Sequence, residues 1–124
     1  MARALNLVGY NTLTFRDIEE FRDRESVLDE EIIPWLAKND VIWVHADDNA
    51  KRAHKKLILA EGVLTLWIYR PGGKLSAKDQ LRILAYVLPA LLQYFAEKPR
   101  QRHYRAYAHG QPPMTKATLR PLIL

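Results

Sequence analysis

The chain has 124 residues, of which 48% are hydrophobic and 27% charged, with a net charge of +5 and a pI of about 9.6. These values fit one globular domain with an ordinary core and a mild bias towards polyanions. The absence of cysteine excludes disulfides, thiolate metal sites and a Cys nucleophile. No apolar run reaches the roughly 18 residues of a membrane span, and the N-terminus has no signal-peptide core, so a cytoplasmic protein without membrane contact is expected.

In chain order, Ala2 to Val8 carries apolar residues at helical spacing, with Gly9 as a natural stop. Asn11 to Phe15 alternates weakly and reads as a strand. Arg16 to Arg24 is nearly all charge around Ile18 and Phe21, and reads as a solvated loop. Ser26 and Asp29 have the spacing of a capping box. Pro34 favours a later helix start, near Leu28 or Asp29, because a mid-helix proline costs up to about 3 kcal/mol. That helix runs to about Ala37 and buries Ile32, Ile33, Trp35 and Leu36; Asn39 and Asp40 end it. The apolar run from Val41 is a strand. Asn49 caps a helix from Ala50 to Glu61, with Ala53, Leu57 and Ile58 inward and Gly62 as its stop. Val63 to Tyr69 is a second strand, continuously apolar and so buried on both faces. Ser76 opens a long helix to about Ala96, with Leu81, Leu84, Leu88, Leu91, Leu92 and Phe95 on one stripe and a kink at Pro89. Tyr104 to Ala108 reads as a short last strand. The alternation of helices and strands argues for an α/β fold with a mainly parallel sheet flanked by helices. Residues 1–110 form the domain, and residues 111–124, with Pro112, Pro113 and Pro121, read as an irregular tail.

The chemistry gathers where the Val41 strand ends in Asp47 and Asp48. Asp disfavours strands and prefers turns and caps, and ligands of open parallel sheets bind outside the carboxyl ends of the strands. With Asp29, Glu30 and Glu31 at a helix start, these acids form an oxygen-only set that suits Mg²⁺ or Mn²⁺ rather than zinc. The bland alternatives are that the helix-start acids stabilise the dipole and that Asp47 or Asp48 caps the following helix. His45 shares a side-chain direction with Asp47; it either meets a phosphate or is a satisfied, half-buried residue. Lys51, Arg52, Lys55 and Lys56 are either a solvated face or phosphate contacts. Trp35, Trp43 and Trp67 lie in apolar runs and belong to the core. His54, His103 and His109 have no metal-ligand spacing.

The segments GYNTLTFRD (9–17), DEEIIPWLAKNDVIWVHADDNAKR (29–52), GVLTLWIY (62–69) and LPALLQYF (88–95) together resemble the PIN-like ribonuclease domains of VapC-type toxins, from about Ala2 to Ala108. The resemblance implies a three-layer PIN-like fold in which acids at strand ends hold Mg²⁺ or Mn²⁺ for hydrolysis of RNA phosphodiester bonds. It implies catalytic and metal-binding roles for Asp29, which matches the acid at the helix start, and Asp47, which closes the family's T-x-D strand with His45 in place of Thr. Asp48 has no fixed counterpart in the family. On the nuclease reading, Glu30 or Asp48 supports the ion, and His45 with Lys51, Arg52 and Lys55 approaches the phosphates of the substrate. An RNA substrate and a cognate antitoxin are the implied partners. Family members open with a strand ending in Asp, placed between the Asn11 and Val41 strands, and here Met1 falls within the helix that follows it. That leaves three readings: a start further upstream, a gap filled by another segment or chain, or a rearranged, inactive sheet. An open sheet edge also invites a homodimer.

Overall fold

The computed structural model describes residues 13–46, 48–70, 75–110 and 116–124, with Phe15 and Asp48 as backbone only. Along the chain run α1 (Asp29–Lys38), β1 (Trp43–His45), α2 (Asp48–Ala53), α3 (Lys55–Glu61), β2 (Thr65–Tyr69), α4 (Ala77–Glu97), β3 (His103–His109) and β4 (Lys116–Pro121). The sheet order is β1-β2-β3-β4, parallel from β1 to β3, with β4 antiparallel to β3. The chain is therefore mixed α/β, with a mostly parallel four-stranded sheet.

The helix expected over Ala2–Val8 and most of the Asn11–Phe15 strand lie outside the described residues. Of that strand's described end, Leu13 and Thr14 are irregular and Phe15–Asp17 makes a single 3-10 turn. The Asp17 carboxylate accepts from the Thr14 N–H, a local bond that competes with strand pairing. The charged Arg16–Arg24 segment is largely exposed, yet Ile18 and Phe21 are buried.

Helix α1 takes the later start that Pro34 favours. Leu28 is its cap, not Ser26, and the Glu31 carboxylate reaches back to accept from the Leu28 N–H and from Arg24. These two bonds hold the Glu31 carboxyl below the usual carboxylate range. The helix closes with Asp40 at positive φ (53°), a region Asp tolerates better than most residues. Val41 N–H then bonds the Leu36 carbonyl and Asp40 N–H the Ala37 carbonyl, the paired bonds of a Schellman end.

The expected Ala50–Glu61 helix is two helices. It begins earlier, at Asp48, and breaks at His54, which is non-helical (φ −115°, ψ 15°). Asn49 lies inside α2 rather than capping it, and its side-chain oxygen accepts from Arg52. Ile58 is buried, Leu57 half-buried, and Ala53 exposed rather than inward. Gly62 ends α3 in the left-handed region (φ 67°), where its N–H bonds the Ile58 carbonyl.

Two cores lie on opposite faces of the sheet. On one, Leu66, Ile68, Tyr104, Ala106, Ala108 and Ala117 meet Ile83, Leu84, Val87, Leu88 and Leu91 of α4. Leu92 sits off this stripe, 45% exposed, and Ile83 and Val87 replace it. The backbone runs on through Pro89, on the exposed side of α4, where water can hydrate the carbonyl left without a donor. On the other face, Ile33, Leu36, Ile58 and Val63 pack on Trp43 and Trp67, with Trp35 partly buried beside them. Helices on both faces make three layers.

The expected irregular tail instead contains β4. Ala117 and Leu119 turn to the α4 side while Lys116, Thr118 and Arg120 turn away, the period of two that a half-buried strand requires. Pro121 is tolerated because β4 is an edge strand of the described sheet.

One buried polar chain crosses the second core. The Trp67 Nε1–H donates to Thr65 Oγ1 (2.9 Å), and Thr65 Oγ1 lies 2.8 Å from His103 Nδ1. Burial, with the Arg102 charge adding to it, pushes the His103 imidazole below its usual range. The unfolded chain thus takes up the imidazole proton first. The stability contributed by neutral His103 is full above the ordinary value of 6.5 and is lost as pH falls from there towards the depressed folded value. Urea midpoints measured from about pH 7 to about pH 5 are expected to fall, and His103→Gln removes part of that slope.

Candidate functional site

The acids at the start of α1 stand beside the junction of α2 and α3. Asp29 Oδ2 is 3.2 Å from His54 Nε2, and Glu30 Oε1 is 3.8 Å from His54 Nδ1. His54 is half-buried, with 16% of its side chain exposed, against 34% for Asp29 and 60% for Glu30. His54 lacks ligand spacing, so no role is expected for it from the sequence. Its partner acids are some 25 residues earlier, a separation only the tertiary fold closes. The contact occupies one oxygen of Asp29; a carboxylate offers about four acceptor sites, so it does not exhaust the group.

Helix α2 leads from the end of β1 to His54. With six residues it is only ~9 Å long, so the acids of α1 and the carboxyl end of β1 are separated by little more than one short helix. Asp47 itself lies outside the described residues, and of Asp48 only the backbone, at the start of α2, is described. Among the described residues no group of three or more His, Asp or Glu is arranged to hold a metal ion.

His45 is half-buried in an aromatic cluster, its ring centroid 5.1 Å from Trp43 and 5.5 Å from Trp67. That is the packing expected of a semi-buried strand histidine. Lys51 is half-buried, and Arg52, Lys55 and Lys56 are exposed. Lys51 and Arg52 sit in the last turn of α2, where the helix dipole favours cations. Lys55 and Lys56 open α3, where it does not, and no acid stands in that first turn. An anion bound nearby would relieve the second pair.

A second charged cluster lies at the far side of the sheet and had a sequence signal in the alternation of His103 to His109. Arg105, buried, has its guanidinium carbon 5.0 Å from the Tyr69 ring centre and 5.8 Å from that of Tyr107. The two tyrosine rings meet edge to face at 5.8 Å. His109 Nε2 lies 3.2 Å from Thr118 Oγ1.

No helix of the described residues is long and apolar enough to cross a membrane. Compared with protein-family models, curated proteins and solved structures, the chain finds no match.

Proposed function

We propose that the chain is a PIN-like, Mg²⁺- or Mn²⁺-dependent endoribonuclease, the cytoplasmic toxin of a toxin–antitoxin pair. The observation that carries this reading is the placement of the acid-bearing start of α1 beside His54, one short helix from the end of β1. Asp29 and Asp47 would hold the ion, with Glu30 and Asp48 in support. Carboxylate oxygens suit a hard divalent cation. When bound, such an ion activates water and offsets charge at a phosphoryl centre. Lys51, Arg52 and Lys55, with His45 at the strand end, would meet the phosphates. The cognate antitoxin is the proposed protein partner. A homodimer is a second mode of assembly, since β1 has β2 as its one strand neighbour among the described residues.

The test is cleavage of single-stranded RNA by EDTA-dialysed protein with and without added Mn²⁺. Cleavage that appears with Mn²⁺ and stops with EDTA is expected. A folded protein that leaves RNA intact at every Mn²⁺ concentration contradicts the reading.

A second reading is a catalytically inactive PIN-like protein that binds RNA or a partner protein. The His54 contact, which takes up one oxygen of Asp29, favours it. Calorimetry with Mn²⁺ separates the two, because the inactive protein shows no binding at millimolar metal.

A further inference from the structure

We propose that the outer face of the β3–β4 hairpin, away from α4, is a binding surface for single-stranded RNA. The inference deepens the reading above and rests on its RNA part alone, not on cleavage. Charge is sharply divided along the chain. Residues 98–124 hold six Lys and Arg and no Asp or Glu, whereas residues 1–97 hold thirteen Lys and Arg against fourteen acids. The excess positive charge of the whole chain therefore belongs to the segment that forms β3 and β4.

The register concentrates that charge on one face. Arg105 stands directly opposite Arg120, and His109 directly opposite Lys116. Like charges facing each other across a strand pair are destabilising, so a phosphate bound beside the exposed Arg120 would offset the Arg105–Arg120 rung. No carboxylate occupies any β2, β3 or β4 position on this face, where Thr65, Trp67 and Tyr69 align with His103, Arg105 and Tyr107. The packing of α4 falls on the opposite face. His109, Lys116 and Arg120 are exposed, and the Tyr69 and Tyr107 rings are half-buried.

Helices α1 and α3 cover this face at Trp43 and Trp67, and its exposed part is the β4 edge, where Lys116 and Arg120 stand beside the half-buried Tyr107 ring; rings beside exposed cations suit a single strand. Unpaired bases stack on the rings while the phosphates follow the cations. A duplex offers no free bases, and an anionic lipid surface offers nothing for the tyrosines to stack on. β3 and β4 lie towards the edge of the sheet opposite β1, on the face that α1 and α3 cover at Trp43 and Trp67.

The test is fluorescence anisotropy with a labelled single-stranded RNA, in EDTA so that metal-dependent cleavage cannot occur. The double variant Lys116→Glu, Arg120→Glu is expected to bind at least about tenfold more weakly and to lose about 1.4 units or more of the log–log salt slope. Its thermal midpoint should hold or rise, because Glu opposite Arg105 replaces a like-charge pair. Opposite changes in binding and stability separate this role from a merely structural one. Tyr107→Ala should weaken binding about five- to 150-fold with little change in salt slope. Wild-type affinity in the folded double variant overturns the proposal. So does binding of the wild type to phosphatidylserine vesicles without binding to RNA. RNA cleavage that survives with unchanged affinity in the double variant would keep the nuclease and reject this surface; binding through the face without cleavage would do the reverse.

Discussion

Asp47→Asn is expected to lower Mn²⁺-dependent RNA cleavage by at least about 100-fold, about 2.7 kcal/mol in the barrier. Replacing a carboxylate with a neutral amide removes a charged ligand while keeping its shape. Asp29→Asn should act in the same direction, because both oxygens would serve one ion. The double variant should then be scarcely worse than either single one, since residues that act as a unit are not additive. Thermal midpoints of the single variants should stay near wild type. Cleavage rates from a fixed-time RNA assay, beside melting curves, check all three. Full activity in Asp47→Asn would leave the metal mechanism without its central residue.

Trp67→Ala is expected to cost about 3–5 kcal/mol of stability. Trp67 is 1% exposed and packs among Ile33, Leu36, Trp43, Ile58 and Val63. Truncation leaves a cavity between the sheet and α1 and removes the donor to Thr65. Against a typical domain stability of about 5–15 kcal/mol, that is a large fraction of the total. Urea denaturation measures the loss. Trp67→Phe, which keeps most of the volume and loses only the N–H, should cost less. Leu92→Ala, on the exposed side of α4, should change stability by no more than about 0.5 kcal/mol. A Trp67→Ala protein as stable as wild type would contradict the assignment of this core.

The elements that were legible in the sequence are those whose ends are set locally. Pro34 and the acids after Leu28 place the start of α1, Gly62 stops α3, and Ser76 caps α4 by accepting from the Asp79 N–H. β1 and β2 also follow from their apolar runs. What was not legible depends on partners far away in the chain. The break at His54 coincides with its contact to Asp29 and Glu30, which no local pattern announces. Leu92 looked equivalent to Leu88 and Leu91 until the sheet chose the side of α4 that Ile83 and Val87 share. β4 was hidden by Pro121, a residue that argues against a central strand but not against an edge, and its inward Ala117 and Leu119 carry the alternation that reveals it. At the candidate site, the sequence named Asp29 and Glu30, and the fold added His54 between them.

In the proposed mechanism the start of α1 and the end of β1 meet around one cation. Paramagnetic broadening of amide NMR signals on titration with Mn²⁺ tests it directly. Signals of residues 29–31 and 45–50 are expected to broaden together, at the same low Mn²⁺ concentration, and Asp47→Asn is expected to abolish the effect in both segments. Broadening confined to one of the two segments, or scattered over the surface acids, would contradict it.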